Sequence, residues 1–142
     1  MADLTLYEKD WLMTDAPLAP RVVLIEDDPL VLFGQEMLLK DWGYRVVTGR
    51  SREAIHKALE SAPEDVAAII ADFNLGGSET GADVARAVAR NASRPIPTVV
   101  MSASLGRTSG TQASLHGFTF FNKPVDPEKL REWLAAATTA RE

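Results

Sequence analysis

Two kinds of hydrophobic pattern alternate along most of this chain. Short, β-branched apolar runs predict strands at residues 21–26, 44–48, 66–71, 98–102 and 118–122. Between these runs, apolar side chains recur three and four residues apart, which predicts helices from residue 29 to about 43, 51–61, 82–91 and from residue 127 onward. The third run, VAAIIA, is apolar throughout, which is typical of a strand covered on both faces.

The starts and apolar faces of the helices can also be predicted. Asp28 and Asp126 each precede a proline, the arrangement of a capping residue followed by proline at the first helical position. Residues at helical spacing indicate the apolar stripe of each helix: Leu30, Phe33, Met37 and Leu38 in the first, Ala54, Ile55, Ala58 and Leu59 in the second, Val84, Ala85, Val88 and Ala89 in the third, and Leu130, Trp133, Leu134 and Ala137 in the last.

Five strands joined to helices by short connections predict one α/β domain over residues 21–142. The expected architecture is a three-layer α/β/α, doubly wound, five-stranded parallel sheet of the flavodoxin-like type, with strand order 2-1-3-4-5. Residues 104–114 are the weak part of the pattern, because they contain two glycines and five serines or threonines. We expect a short or mobile helix there.

Residues 1–20 form a separate N-terminal extension. Pro17 and Pro20 exclude regular helix or central strand just before the domain. Further upstream, apolar side chains stand among charged ones: Leu4, Leu6, Tyr7, Trp11 and Leu12. Two interpretations remain open, a partly ordered tail and a short amphipathic arm that docks on the domain or on a second copy of the chain.

Composition narrows the function classes. The 142 residues carry a formal net charge of −5, without the basic excess of a nucleic-acid binder. With no cysteine, the chain has no disulfide framework, no cysteine-based metal site and no thiol nucleophile. No apolar run approaches the ~18 residues of a membrane span, and the N-terminus lacks a signal-peptide pattern. These features favour a cytoplasmic protein that binds neither membrane nor nucleic acid.

Polar residues follow four of the predicted strands and point to phosphoryl chemistry. Glu26 ends the first predicted strand and Asp27 follows it, Asp72 follows the third, Ser102 ends the fourth and Lys123 follows the fifth. In a parallel sheet these ends converge, and clustered carboxylates attract a divalent cation with a preference for oxygen, such as Mg²⁺. Beside such a cation Asp72 can act as a nucleophile toward phosphorus, with Lys123 and Ser102 contacting the phosphoryl oxygens.

The segments around these residues carry a family resemblance. The motifs VLIEDDP, ADFNL, VVMSA and FFNKP appear in order, with 45 residues from Asp27 to Asp72, 30 from Asp72 to Ser102 and 21 from Ser102 to Lys123. This ordered set resembles the CheY-like receiver domain of response regulators in two-component signalling.

The resemblance implies a role for each matching position. Asp72 matches the phosphoacceptor, Ser102 the switch hydroxyl, Lys123 the active-site lysine with a cis bond to Pro124, and Phe120 the switch aromatic. The implied Mg²⁺ ligands are Glu26, largely through water, Asp27, Asp72 and the backbone carbonyl of Asn74. Two features depart from the common pattern: the loop from Asn74 to Gly81 is about one residue longer and resembles receivers associated with hybrid histidine kinases, and position 120 holds Phe rather than Tyr.

The implied function is a phosphoacceptor, not an enzyme beyond its own phosphorylation and dephosphorylation. The phosphoryl donor would be a histidine kinase or a histidine phosphotransfer protein, and the chain would be either a stand-alone receiver or part of a hybrid kinase. A second copy could bind at the face formed by the region after the fourth strand, the fifth strand and the last helix, or through the N-terminal arm. Two alternatives are a pseudo-receiver that only binds partners and an aspartyl-phosphate phosphohydrolase, although residues 26–29 do not match the nucleophile motif of the latter.

Overall fold

A computed structural model describes residues 19–59, 65–103 and 117–139. Strands and helices alternate along the chain, except between the last two strands, where residues 104–116 lie outside the described part. The elements are β1 (Arg21–Ile25), α1 (Pro29–Asp41), β2 (Arg45–Gly49), α2 (Arg52–Leu59), β3 (Val66–Asp72), α3 (Gly81–Arg90), β4 (Thr98–Ser102), β5 (Thr119–Asn122) and α4 (Pro127–Thr139).

The strands form one sheet in the order β2-β1-β3-β4-β5, and every neighbouring pair is parallel. This confirms the predicted strand order. β3 and β4 are buried along their whole length, which matches their continuous apolar sequences. All five carboxyl ends lie at the same edge of the sheet, and this edge brings distant polar residues together.

Alternate residues of β1 divide the core into two layers. Val22 and Leu24 pack in a cluster that includes Leu39 of α1 and Leu134 of α4. The intervening residues, Val23 and Ile25, pack in a cluster with side chains of α2 and α3. Since successive side chains of a strand point to opposite faces, α1 and α4 cover one face and α2 and α3 the other. The three-layer α/β/α prediction is confirmed.

Local capping sets the helix starts beside the functional edge. The Asp28 carboxylate accepts hydrogen bonds from the backbone N–H of Leu30 at 2.9 Å and of Val31 at 3.3 Å, and Pro29 begins α1 as predicted. Thr80 and Asp83 form a reciprocal capping box at α3, which therefore begins at Gly81, one residue earlier than predicted.

The predicted apolar stripes need correction in two helices. In α1, Leu30, Phe33 and Met37 are exposed, because Leu32 and Leu39 are the side chains that pack toward the sheet. In α2, Ile55 and Leu59 are buried as predicted, whereas Ala54 and Ala58 are exposed. The reason is that α2 packs chiefly on the edge strand β2, so its buried face is limited to the two large side chains.

Two predictions fall outside the described residues. The N-terminal arm lies almost entirely in residues 1–18, and the weak segment lies in residues 104–116. Both remain predictions. Within the described part of the chain, the helices are too short and too polar to cross a membrane.

Candidate functional site

Three carboxylates meet at the carboxyl edge of the sheet. Glu26 and Asp27 follow β1 directly, and Asp72 is the last residue of the neighbouring strand β3. One oxygen from each of the three carboxylates lies within 4.8 Å of the others. The structure therefore brings together the acidic residues that the sequence predicted to converge.

Glu26 is the most deeply enclosed of the three, with 2% of its surface exposed. Its Oε2 accepts a hydrogen bond from the backbone N–H of Asp28 at 3.2 Å, and its Oε1 is buried with no hydrogen-bond partner. Burial raises the pKa of Glu26, and the negative charges of Asp72 and Asp27 raise it further. The Asp28 N–H and the Lys123 ammonium act in the opposite direction on this pKa.

Lys123, which follows the edge strand β5, contacts the acidic cluster. Its Nζ lies 2.8 Å from Asp72 Oδ1 and 3.9 Å from Glu26 Oε1. The lysine follows β5, and its backbone N–H donates to the Ser102 carbonyl at 2.8 Å, which holds the start of the loop against β4. The peptide bond from Lys123 to Pro124 is cis. A single ammonium thus lies at hydrogen-bond distance from Asp72 and near a second carboxylate.

Ser102 ends β4 beside the end of β3. Met101, the preceding residue, pairs with Asp72 in the parallel register, so Ser102 lies just beyond Asp72 at the same edge. Its side chain is completely buried. The structure therefore places Ser102 at the β4 end of the same sheet edge, and the contact of its hydroxyl with a phosphoryl group remains a prediction.

Two glycines allow the backbone to approach the acidic residues closely. A Cβ on Gly81 would lie 1.8 Å from the carbonyl oxygen of Asp72, so a side chain there would displace either α3 or the end of β3. Gly76 adopts a φ of +73°, and a Cβ there would lie 3.1 Å from Asp27 Oδ2. These positions were predicted only as loop residues, because the contacts that require glycine are between distant parts of the chain.

Known proteins share this sequence pattern and this architecture. A model of the response regulator receiver domain family matches residues 22–135. The chain belongs to this family of receiver domains. No curated protein sequence matches the chain.

Solved structures with the same fold include several receiver domains. A response regulator receiver domain protein from Clostridium thermocellum is 17% identical, with a TM-score of 0.76 over 86% of this chain and 96% of that one. The chemotaxis protein CheY4 of Vibrio cholerae is 21% identical, with a TM-score of 0.70 over 84% of this chain and 98% of that one. The signal receiver domain of a putative Luxo repressor protein from Vibrio parahaemolyticus is 22% identical, with a TM-score of 0.71 over 87% of this chain and 92% of that one. At these identities the likeness shows the fold.

Two further predicted residues, Phe120 and Asn74, lie on β5 and in the loop after β3. Phe120 packs partly buried beside Phe73, Ala82 and Val100, on the side of the sheet that α3 covers. Asn74 is exposed and forms an isolated antiparallel bridge with Thr80, which closes the loop between β3 and α3. Their assigned roles, a switch ring and a carbonyl metal ligand, remain predictions.

Arginines after β2 were missed by the sequence reasoning. The Arg50 Nε–H donates to the Asp27 carbonyl oxygen at 2.8 Å and so fixes the backbone of a predicted metal ligand. The guanidinium of Arg52 pairs with the carboxylate of Glu79, which ties the loop after β3 to the start of α2. The available signal was the segment Arg-Ser-Arg at the carboxyl end of a parallel strand, which was read only as the start of a helix.

The receiver family implies a divalent cation at the acidic cluster, and the residues present suit one. All three side chains offer hard oxygen ligands, the kind that Mg²⁺ prefers. The buried Glu26 Oε1, which has no hydrogen-bond partner, is a further sign that a cation belongs there. Glu26, Asp27 and Asp72 are the side chains that would hold it.

Proposed function

We propose that this receiver domain accepts a phosphoryl group on Asp72, in a Mg²⁺-dependent reaction with a histidine kinase or a histidine phosphotransfer protein. The observation that carries the proposal is the position of Lys123 Nζ, 2.8 Å from Asp72 Oδ1, beside a cluster of three carboxylates. This arrangement offers an anionic nucleophile, a fixed positive charge and a cation site around one atom.

The proposed transfer requires one bond to form and one to break. An Asp72 carboxylate oxygen attacks phosphorus as the phosphorus–nitrogen bond of the donor phosphohistidine breaks. The electron pair of that bond stays on the imidazole nitrogen, which takes up a proton. The Lys123 ammonium pairs with the oxygens of the transferred phosphoryl group, and the Ser102 hydroxyl donates a hydrogen bond to one of them. A bound Mg²⁺ would offset the repulsion between the carboxylates and the incoming phosphoryl oxygens.

Phosphorylation would signal through contact with other proteins. The added phosphoryl group brings about −1.5 to −2 charges to the edge of the sheet. We expect the Ser102 hydroxyl to turn toward it and the Phe120 ring to move further into the space beside Phe73 and Val100. The surface of β5 and α4 would then change, and we place the partner or a second copy of the chain there. We also propose that the protein is cytoplasmic, in the same compartment as the kinase domain that would supply the phosphoryl group.

The test is incubation of the full chain with Mg²⁺ and a small phosphodonor such as phosphoramidate, followed by intact mass measurement. We expect one phosphate adduct on the wild-type chain, none without Mg²⁺ and none on Asp72→Asn. Asp126→Asn is the matched control, since Asp126 is an exposed helix cap after β5, and it should be phosphorylated like the wild type.

The other outcomes separate the alternatives. Rapid release of phosphate with no accumulated adduct would indicate a phosphohydrolase. No adduct and no turnover would indicate a pseudo-receiver. An adduct that persists on Asp72→Asn would remove Asp72 as the phosphoacceptor.

A further inference from the structure

Helix α1 exposes an apolar stripe to solvent. Among the described residues, every exposed large hydrophobic side chain lies on this helix: Leu30 at 82%, Phe33 at 63%, Met37 at 57% and Val31 at 39%. The opposite side of α1 is also apolar, since Leu39 is buried in the core. A helix that is apolar on both sides is typical of one covered on both sides.

Gly34 lies in the middle of this stripe. A Cβ added at this position would meet nothing within 4 Å, so the domain itself gives no reason for glycine. Glycine inside an exposed helix lowers its stability relative to alanine. A missing side chain in an apolar stripe does, however, let another helix or an aromatic ring approach the backbone closely. Gly34 is therefore a second observation that points to a covering element.

The N-terminal segment joins the domain at the end of α1. The carbonyl oxygens of Ala19 and Pro20 accept hydrogen bonds from the side chain and backbone of Arg45, at 2.7 Å and 2.9 Å. Arg45 begins β2, four residues after α1 ends at Asp41. The described part of the chain thus begins, at Ala19, at the edge of the sheet where α1 ends.

The apolar spacing of that segment matches the exposed stripe. Leu4, Tyr7 and Trp11 stand at the same intervals, three and then four residues, as Leu30, Phe33 and Met37. In a helix, both sets form a single stripe. Asp3 is a favourable capping residue for a helix that begins at Leu4.

Length and direction agree with a contact between the two stripes. Residues 13–18 can span up to ~20 Å, ample to turn back from Ala19 onto the last turn of α1. If the preceding segment led back from Ala19 along α1, its residue 11 would lie near Met37 and its residue 4 near Leu30. The two helices would then run parallel, with Leu4, Tyr7 and Trp11 each beside the corresponding residue of α1.

We propose that residues 4–12 form a helix that docks, within the same chain, on the surface formed by Leu30, Phe33, Gly34 and Met37. The tether favours this occupant over a second copy, because a short linker gives an effective concentration of ~mM. The proposal goes beyond the phosphoacceptor function and does not depend on it.

Disulfide trapping tests the proposal in a chain with no natural cysteine. The double variant Leu4→Cys, Leu30→Cys should form a disulfide rapidly within one chain under mild oxidation. The control, Leu4→Cys with Met37→Cys, should form it many-fold more slowly, because position 37 lies about 10 Å further along α1. Equal rates, no disulfide, or a disulfide only between two chains at micromolar concentration would overturn the proposal, the last in favour of a second copy.

Limited proteolysis is an independent test of the docked helix. Trypsin should cleave after Lys9 several-fold faster in Phe33→Glu than in the wild-type chain, because a charge in the stripe would release the segment. Ala54→Glu, on an exposed position of α2, should leave that rate unchanged. The same cleavage rate in the wild type and in Phe33→Glu would contradict the docked helix.

Discussion

The Glu26 carboxylate is almost completely buried, with the carboxylates of Asp27 and Asp72 beside it. Burial and the neighbouring negative charges both raise the pKa of Glu26. Lys123 compensates only in part, since its Nζ is closer to Asp72 than to Glu26. In the absence of a cation, the ionised form of Glu26 therefore lowers the stability of the fold.

We expect Glu26→Gln to raise the free energy of unfolding of the metal-free protein, by on the order of 1 kcal/mol. The amide removes the buried charge and its oxygen can still accept from the Asp28 N–H. The gain should be full above the raised pKa of Glu26. It should vanish as pH falls below the ordinary carboxyl pKa, where Glu26 is neutral in both folded and unfolded chains. Urea titrations at several pH values measure it.

The control for this substitution is Glu132→Gln on α4, which is exposed. It should change the free energy of unfolding by less than about 0.5 kcal/mol. A Glu26→Gln variant that is less stable than the wild type at neutral pH without Mg²⁺ would contradict the argument from burial.

Gly81 offers a second test at the scale of one residue. Gly81→Ala should lower the free energy of unfolding by about 2 kcal/mol or more, because its Cβ would collide with the Asp72 carbonyl. Phosphorylation should also slow, since the backbone of Asp72 would be displaced. Gly77→Ala is the matched control, because a Cβ there meets nothing within 4 Å. Equal stability of the two variants by urea titration would show that α3 moves aside without cost.

The charged residues of the site could be predicted from the sequence, whereas the requirement for its glycines could not. Glu26, Asp27 and Asp72 could be predicted to meet because the ends of parallel strands converge whatever the packing details. The need for glycine at position 81 depends on how closely α3 approaches β3, and no local sequence pattern encodes that distance. Arg50 was missed for the same reason, since its partner is the carbonyl of Asp27, on the neighbouring strand connection.

At the scale of elements, the type and order of each strand and helix followed from periodicity and caps. Periodicity and caps did not predict which face of α1 is exposed to solvent. Leu30, Phe33 and Met37 have the spacing of a buried stripe, as do the core residues Leu32 and Leu39 on the other side. A helix that is apolar all round gives no rotational signal in its sequence. Only packing against the sheet decides which side is outward.

The cap of α3 is the element-scale prediction. Thr80→Ala should lower the free energy of unfolding by about 1 kcal/mol, because the Thr80 hydroxyl accepts from the Asp83 N–H at 3.1 Å. Ser78→Ala, in the exposed part of the same loop, should have almost no effect. Urea titration of both variants measures the difference. If the two lose equal stability, the loop and not the cap sets the start of the helix.

At the scale of the whole molecule, the acidic cluster exists only when the sheet is formed. Asp27 follows β1, Asp72 ends the adjacent β3 and Lys123 follows β5 at the far edge. An unfolded chain holds these groups far apart, so it offers no site for a divalent cation. A ligand that binds only the folded chain stabilises the entire fold.

Mg²⁺ should therefore raise the stability of the full chain. At a concentration ten times the dissociation constant, the gain in free energy of unfolding should be ~1.4 kcal/mol. Asp27→Asn should reduce the gain at the same Mg²⁺ concentration, since it removes one charged oxygen ligand. Thermal unfolding with MgCl₂, against NaCl of matched ionic strength, separates cation binding from general screening of the carboxylates. A gain of equal size with NaCl, or in Asp27→Asn, would show that the cluster is not a specific site for the cation.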